Sequence, residues 1–167
     1  PIDGKTLRRS FDNNTNKGCI HMVSAWANSN RMVLGQIKVN EKSNEITAIP
    51  ELLKMLEITG CIITIDAMGC QKNIAKTIID GEADYLLALK GNQGNFHVDV
   101  IDYFKHSFET QFKNIPNQYH NETDVGHGRI EKREYWLITE LDWYAEKKLW
   151  KGLNGIVMAK AEREIDG

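Results

Sequence analysis

The chain has 167 residues, 41% hydrophobic and 26% charged, the size and balance of one globular domain with a substantial core rather than of a disordered segment. No apolar run approaches the roughly 20 residues that span a bilayer, and the N-terminus lacks the charged-then-apolar plan of a signal peptide, so a soluble, cytoplasmic protein with no membrane partner is predicted. A net charge of −2 gives no global pull toward nucleic acid, so any DNA binding has to come from local basic patches or bound cations.

The chain opens at Pro1 directly before Asp3 and closes at Gly167 just after an apolar stretch, which reads as a piece of something longer. Asp3 is assigned to a short first strand cut at its N-terminus. Residues 18 to 28 and 31 to 39 are β-rich runs joined by the polar break Asn28-Ser29-Asn30, and form a predicted hairpin. Ser43 or Asn44 caps a helix carrying Ile46, Ile49, Leu52, Leu53 and Leu56 on one stripe; Pro50 should kink or restart it, and Gly60 ends it. Cys61 to Ile65 is a nearly unbroken apolar run, the mark of a strand covered on both faces, with Asp66 at its end. A helix from about Cys70 to Asp80 turns Ile74, Ala75, Ile78 and Ile79 inward and stops at Gly81. Tyr85 to Leu89 repeats the buried-strand pattern and stops at Lys90. A third helix, from about Asn95 to Phe108, buries Phe96, Val100, Ile101 and Phe104. Beyond it lie a polar stretch to about Thr123 and two further strands, from Arg129 to Ile138 and from Gly155 to Lys160.

This order predicts an α/β fold of RNase H-like type: three antiparallel strands, then two parallel ones joined through helices, in one mixed sheet. Residues 1–167 are taken as a single core truncated at both ends, with 109–167 a β-rich insertion or extension. In such a sheet the first strand neighbours the fourth, about 4.8 Å away. The carboxylates at the ends of those strands, Asp3 and Asp66, can then converge. Phosphoryl transfer by two metal ions roughly 4 Å apart needs carboxylates to hold them. Magnesium keeps several waters, so two or three protein carboxylates suffice. Taken singly, Asp66 fits a helix cap equally well, and Asp3 fits a simple turn start; the topological pairing is what distinguishes them. A phosphoacceptor signalling domain also puts an aspartate at a strand end, but it begins with strand and helix, not with a hairpin sheet.

Five segments carry a resemblance: residues 2 to 8 (IDGKTLR), 39 to 50 (VNEKSNEITAIP), 64 to 72 (TIDAMGCQK), 83 to 93 (ADYLLALKGNQ) and 126 to 133 (GHGRIEKR). In this order they resemble the DDE transposases of the H-repeat-associated family over nearly all of the chain, a stronger signal than any single short pattern. The resemblance implies DNA transposition by a DDE site: cleavage of insertion-sequence ends and strand transfer into target DNA, with Mg²⁺ or Mn²⁺ as cofactor and two ions in the complete enzyme. It also implies a homodimer and a bacterial, nucleoid-associated location. Asp3 matches the first acidic residue and Asp66 the second. The family's third is a glutamate in a Trp-x-Ile-Glu-Asn segment, which these residues lack. Glu131 is the substitute within the chain. The isolated chain is therefore expected to fold without carrying out transposition. The alternative is an inactive remnant that acts as a DNA- or protein-binding module.

Lys5, Arg8 and Arg9 after the first carboxylate and Lys90 beyond Asp66 are candidate phosphate contacts. His127, Arg129 and Arg133, flanked by Gly126 and Gly128, form the densest basic patch and a second candidate DNA contact; a salt-bridged strand face is its competing reading. Trp26, Trp136, Trp143 and Trp150 are assigned to core packing rather than base stacking. Met22, Met32, Met55 and Met68 are assigned to core filling. The odd number and wide spacing of Cys19, Cys61 and Cys70 point to buried reduced thiols.

Overall fold

Alternation of side chains builds the first sheet. In β1 (Ile2–Thr6), β2 (His21–Ala27) and β3 (Met32–Val39), the residues Ile2, Val23, Ala25 and Val39 are buried, and their sequence neighbours point the other way. The computed structural model describes residues 1–7, 20–28, 30–39, 44–126 and 129–165. The β1–β2 and β2–β3 pairs are antiparallel, the second being the expected hairpin, and a register shift falls between Ala25 and Trp26. Trp26 follows that shift and is 40% exposed, so it leaves the core assigned to it.

Helix α1 (Glu45–Lys54) starts at Asn44, whose side chain and that of Thr47 satisfy each other's backbone N–H in a capping box. Ser43 lies outside the described residues. The helix runs through Pro50, so the proline does not restart it. The ring is buried on the apolar face with Ala48, Ile49, Leu52 and Leu53, and this burial offsets the roughly 3 kcal/mol of an interior proline. The helix ends at Met55 rather than at Gly60.

After β4 (Ile62–Ile65), helix α2 (Lys72–Asp80) crosses to β5 (Asp84–Leu87), which pairs parallel with β4. The five-stranded sheet has the order β3-β2-β1-β4-β5, a mixed α/β arrangement in which β1 neighbours β4 as expected. Ile63, Ile65, Tyr85 and Leu87 join the core formed with α1 and α2. Ile62 and Leu86, one residue off in phase, are 69% and 57% exposed, so these strands are not covered on both faces as their apolar runs suggested.

The chain divides into two compact units, Pro1–Gly94 with Leu149–Gly152, and Asn95–Lys148 with Leu153–Gly167. In the second, α3 (Asn95–Glu109) buries Phe96, Phe104 and Ser107, while Ile101 is exposed. Positions 96, 100, 104 and 107 stack on one face, and Ile101 lies about 100° round from Val100. Strands β6 (Gln118–Gly126), β7 (Arg129–Ile138) and β8 (Ile156–Ile165) form an antiparallel sheet in that order. Strand β6 begins inside the polar stretch expected to reach about Thr123 and continues past it to Gly126. Its residues 118 to 125 are exposed throughout, so no apolar alternation announces it, and pairing with β7 makes it a strand. The same holds for the extension of β8 past Lys160. Trp136, Ile138, Leu141, Tyr144 and Ile156 are buried, with Phe96 stacked on Tyr144 and Tyr103 on Trp143. Trp150, in the first unit, is buried and Trp143 half-buried, so among the four tryptophans the core assignment fails for Trp26. Met32, Met55 and Met68 are exposed rather than core filler. No helix among the described residues is long and apolar enough to cross a membrane.

Candidate metal and phosphate site

The register of the central strands decides where the two aspartates lie. Ile2 pairs with Ile65 across the parallel β1–β4 ladder, and both are buried. The residue after each, Asp3 within β1 and Asp66 one past the end of β4, keeps extended backbone and therefore turns to the opposite face, where both are exposed. Adjacent strands lie about 4.8 Å apart, and the Ile2–Ile65 pair immediately precedes both aspartates. One expectation needs correcting: Asp3 is not at the end of its strand. Strand β1 continues to Thr6 because β2 pairs with all five of its residues, past the point where β4 stops.

Each aspartate is backed by packing. A Cβ on Gly4 would collide with the Glu45 carboxylate, so the glycine after Asp3 is what lets Glu45 lie against β1. His21 holds that carboxylate, its Nε2 2.6 Å from Glu45 Oε1 and its Nδ1 2.8 Å from Thr6 Oγ1. The carboxylate only accepts, so His21 donates from Nε2. Asp66 caps a single 3-10 turn, Ala67–Gly69, its Oδ1 accepting from the Met68 N–H at 3.0 Å. The capping reading of Asp66 is thus realised, and one bond leaves most of the carboxylate's accepting capacity for other ligands. A Cβ on Gly69 would run into Ile65, which fixes that turn against the core.

Lys5 is exposed on the Asp3 face of β1, two residues on. Lys90 is exposed and precedes a second 3-10 turn, Gly91–Gln93, just past β5, without a side-chain capping bond. Arg8, Arg9, His127, Gly128 and Cys19 lie outside the described residues. Cys61 is exposed, against expectation, while Cys70 is buried, which pushes its thiol up to about 11.

Glu131 sits in a different environment. Its side chain is only 7% accessible and is covered by arginines: Arg163 at 2.5 and 2.8 Å, Arg133 at 2.5 Å and Arg129 at 3.5 Å. The hydrogen bond from Arg163, then the charges of Arg129, Arg163 and Arg133, hold its carboxyl below the usual range. Arg133 also reaches Glu122, which accepts from the Tyr135 hydroxyl. Sequence reasoning missed Arg163, which pairs directly opposite Glu131 on β8; the charged alternation of residues 160 to 164 is its only local trace.

Among the described residues no three His, Cys, Asp or Glu side chains are grouped to hold a metal ion. Asp3 and Asp66 supply two hard oxygen donors on one exposed face, a set that fits a hydrated divalent cation such as Mg²⁺.

Comparison with known proteins gives a consistent result. Residues 1–149 match the family described as "Transposase DDE domain". The chain is 47% identical to "Putative transposase YncI" of Escherichia coli O157:H7, over 98% of this chain and 41% of that protein. It is 45% identical to "H repeat-associated putative transposase YhhI" of Escherichia coli K12, over 98% and 43%, and 48% identical to "H repeat-associated putative transposase YbfD" of the same strain, over 79% and 51%. The chain thus spans about half the length of these relatives. No solved structure gives a significant match.

Proposed function

The chain belongs to the DDE transposase domain family, and on that premise we propose that it forms part of an RNase H-like catalytic core acting in DNA transposition by metal-dependent phosphoryl transfer at insertion-sequence ends. The observation that carries the reading is the Ile2–Ile65 register, with Asp3 and Asp66 next to it on one exposed face. Mg²⁺ or Mn²⁺, when bound, supplies charge stabilisation at the reacting phosphate and a more acidic attacking water.

This chain's own residues do the holding and orienting. Asp3 and Asp66 bind the cation from rigid, adjacent backbone, so little has to reorganise on loading. Lys5 and Lys90 receive backbone phosphates beside them. Arg129 and Arg133, with Arg8 and His127, contact DNA without reading its sequence. Glu131 is the third acidic candidate within these residues, but a cation there would have to displace three guanidiniums. The third carboxylate of the complete enzyme is therefore assigned to the part of the relatives' length that this chain does not span, and the chain alone is expected not to carry out transposition.

Calorimetric Mn²⁺ titration tests the site. Wild type should bind weakly, and Asp66→Asn and Asp3→Asn should each lose binding by about tenfold or more, at least the loss that follows removal of a ligand's outer hydrogen-bond partner. Equal binding in all three proteins would remove the site.

A further inference from the structure

Residues 83 to 93 make up one of the five resembling stretches, and Lys90 is not its only member that bears on the site. The Asn92 side chain hydrogen-bonds out of that segment, and the geometry points to Asn92 as a positioning residue for the Asp66 carboxylate. This inference rests on the reading of Asp66 as a cation ligand.

The two strands end side by side, the Ala88 N–H donating to the Ile65 carbonyl at 3.1 Å. From there the chain makes two tight turns. Asp66 starts the first, closed by Gly69 N–H to Asp66 O at 3.1 Å and by Cys70 N–H to Ala67 O at 3.3 Å. Lys90 starts the second, closed by Gln93 N–H to Lys90 O at 3.0 Å and by Gly94 N–H to Gly91 O at 3.1 Å. Asn92 ties them together: its Nδ2 donates to the Ala67 carbonyl at 2.7 Å, across 25 positions of sequence. A carbonyl only accepts, so the amide group of Asn92 must face it.

The bonded carbonyl belongs to the Ala67–Met68 peptide, and the N–H of that same peptide donates to Asp66 Oδ1 at 3.0 Å. The peptide is a rigid plane. Asn92 at 2.7 Å is the shorter of two donors on its oxygen, the Cys70 N–H at 3.3 Å being the other, and so has the larger part in fixing the direction of its N–H and the rotation of the Asp66 carboxylate. Donation to the oxygen also polarises the unit and strengthens the bond the N–H makes. Asn92 thus acts on Asp66 through one peptide group, as outer hydrogen-bond partners orient metal ligands elsewhere.

The test compares Asn92→Leu, which keeps the volume but removes the donor, with Asn92→Gln, which keeps a donor. Two readouts are taken on the full chain: Mn²⁺ affinity by calorimetry, and amide hydrogen exchange at Met68 with no cation present. Asn92→Leu should weaken Mn²⁺ binding roughly tenfold and lose protection at Met68, while the α2 amides of residues 74 to 78 stay protected. Asn92→Gln should recover most of both. Unchanged Met68 exchange in Asn92→Leu, or unchanged Mn²⁺ affinity, overturns the inference. Loss of protection across α2 as well also overturns it, because Asn92 would then be a general structural tie. Asp66→Asn in parallel separates the two claims: if it binds Mn²⁺ like wild type, the cation reading falls, while the exchange arm still judges the Asn92 tie on its own.

Discussion

Asp66 and Glu131 carry the same functional group in opposite circumstances. The Asp66 carboxylate accepts one backbone N–H and faces solvent at a strand end. The Glu131 carboxylate lies mid-strand under three guanidiniums. Both residues are acidic members of a family-like motif, yet only one is open to a new ligand. Whether an acidic residue can take a new ligand depends on what already occupies its lone pairs. In Glu131 the covering groups are charged rather than apolar, so the carboxyl stays ionised although water hardly reaches it.

The largest expected effect that sharpens this contrast is on folding stability. Glu131→Gln leaves three guanidiniums around a neutral group, and the melting temperature should fall by about 5 °C or more, since removing one partner leaves like charges uncompensated. Asp66→Asn should stay within about 2 °C, because asparagine caps a turn as well as aspartate does. Thermal melts of the two variants side by side check this, and similar losses would erase the distinction.

A smaller effect concerns pH. The Glu131 carboxyl is held below its ordinary value of 4.5, so its pairing stabilises the fold above that pH. The contribution is lost as pH falls from about 4.5 through the lower folded value. The stability gap between wild type and Glu131→Gln should therefore be constant near neutrality and close progressively in acid. Melts from about pH 7 down to about pH 3 measure it; a gap that persists at the acid end would assign the loss to packing.

The smallest effect tests whether the covered side still meets DNA. Arg129 and Arg133 are partly exposed despite their pairing. Replacing both with alanine should weaken duplex binding for all sequences alike and flatten the salt dependence by about 0.9 for each phosphate no longer neutralised. An unchanged slope returns these arginines to the role of salt-bridged strand face.

The parts of the fold that were legible were those with an apolar signal of their own, whether a helical stripe, an alternation or a short run. The hairpin of β2 and β3, the capped α1 with its apolar stripe, and the succession β4-α2-β5 all follow from local periodicity, and the neighbouring of β1 and β4 follows from chain order. Illegible were the elements whose sequence answers to partners far away. Residues 118 to 125 are a strand only because β7 bonds to them, and Pro50 stays helical because its ring is buried.

Asp3 and Asp66 as candidates, the adjacency of their strands and the family could all be read from the chain alone, because motifs and strand order are written along it. Tertiary structure alone decided that Asp3 and Asp66 share an exposed face, that Arg163 closes over Glu131, and that Asn92 reaches the Ala67 peptide. Each of these depends on register or on contact between segments 25 or more positions apart. Shifting a strand by one residue would reverse every side chain on it, and no local pattern records which register the folded chain adopts.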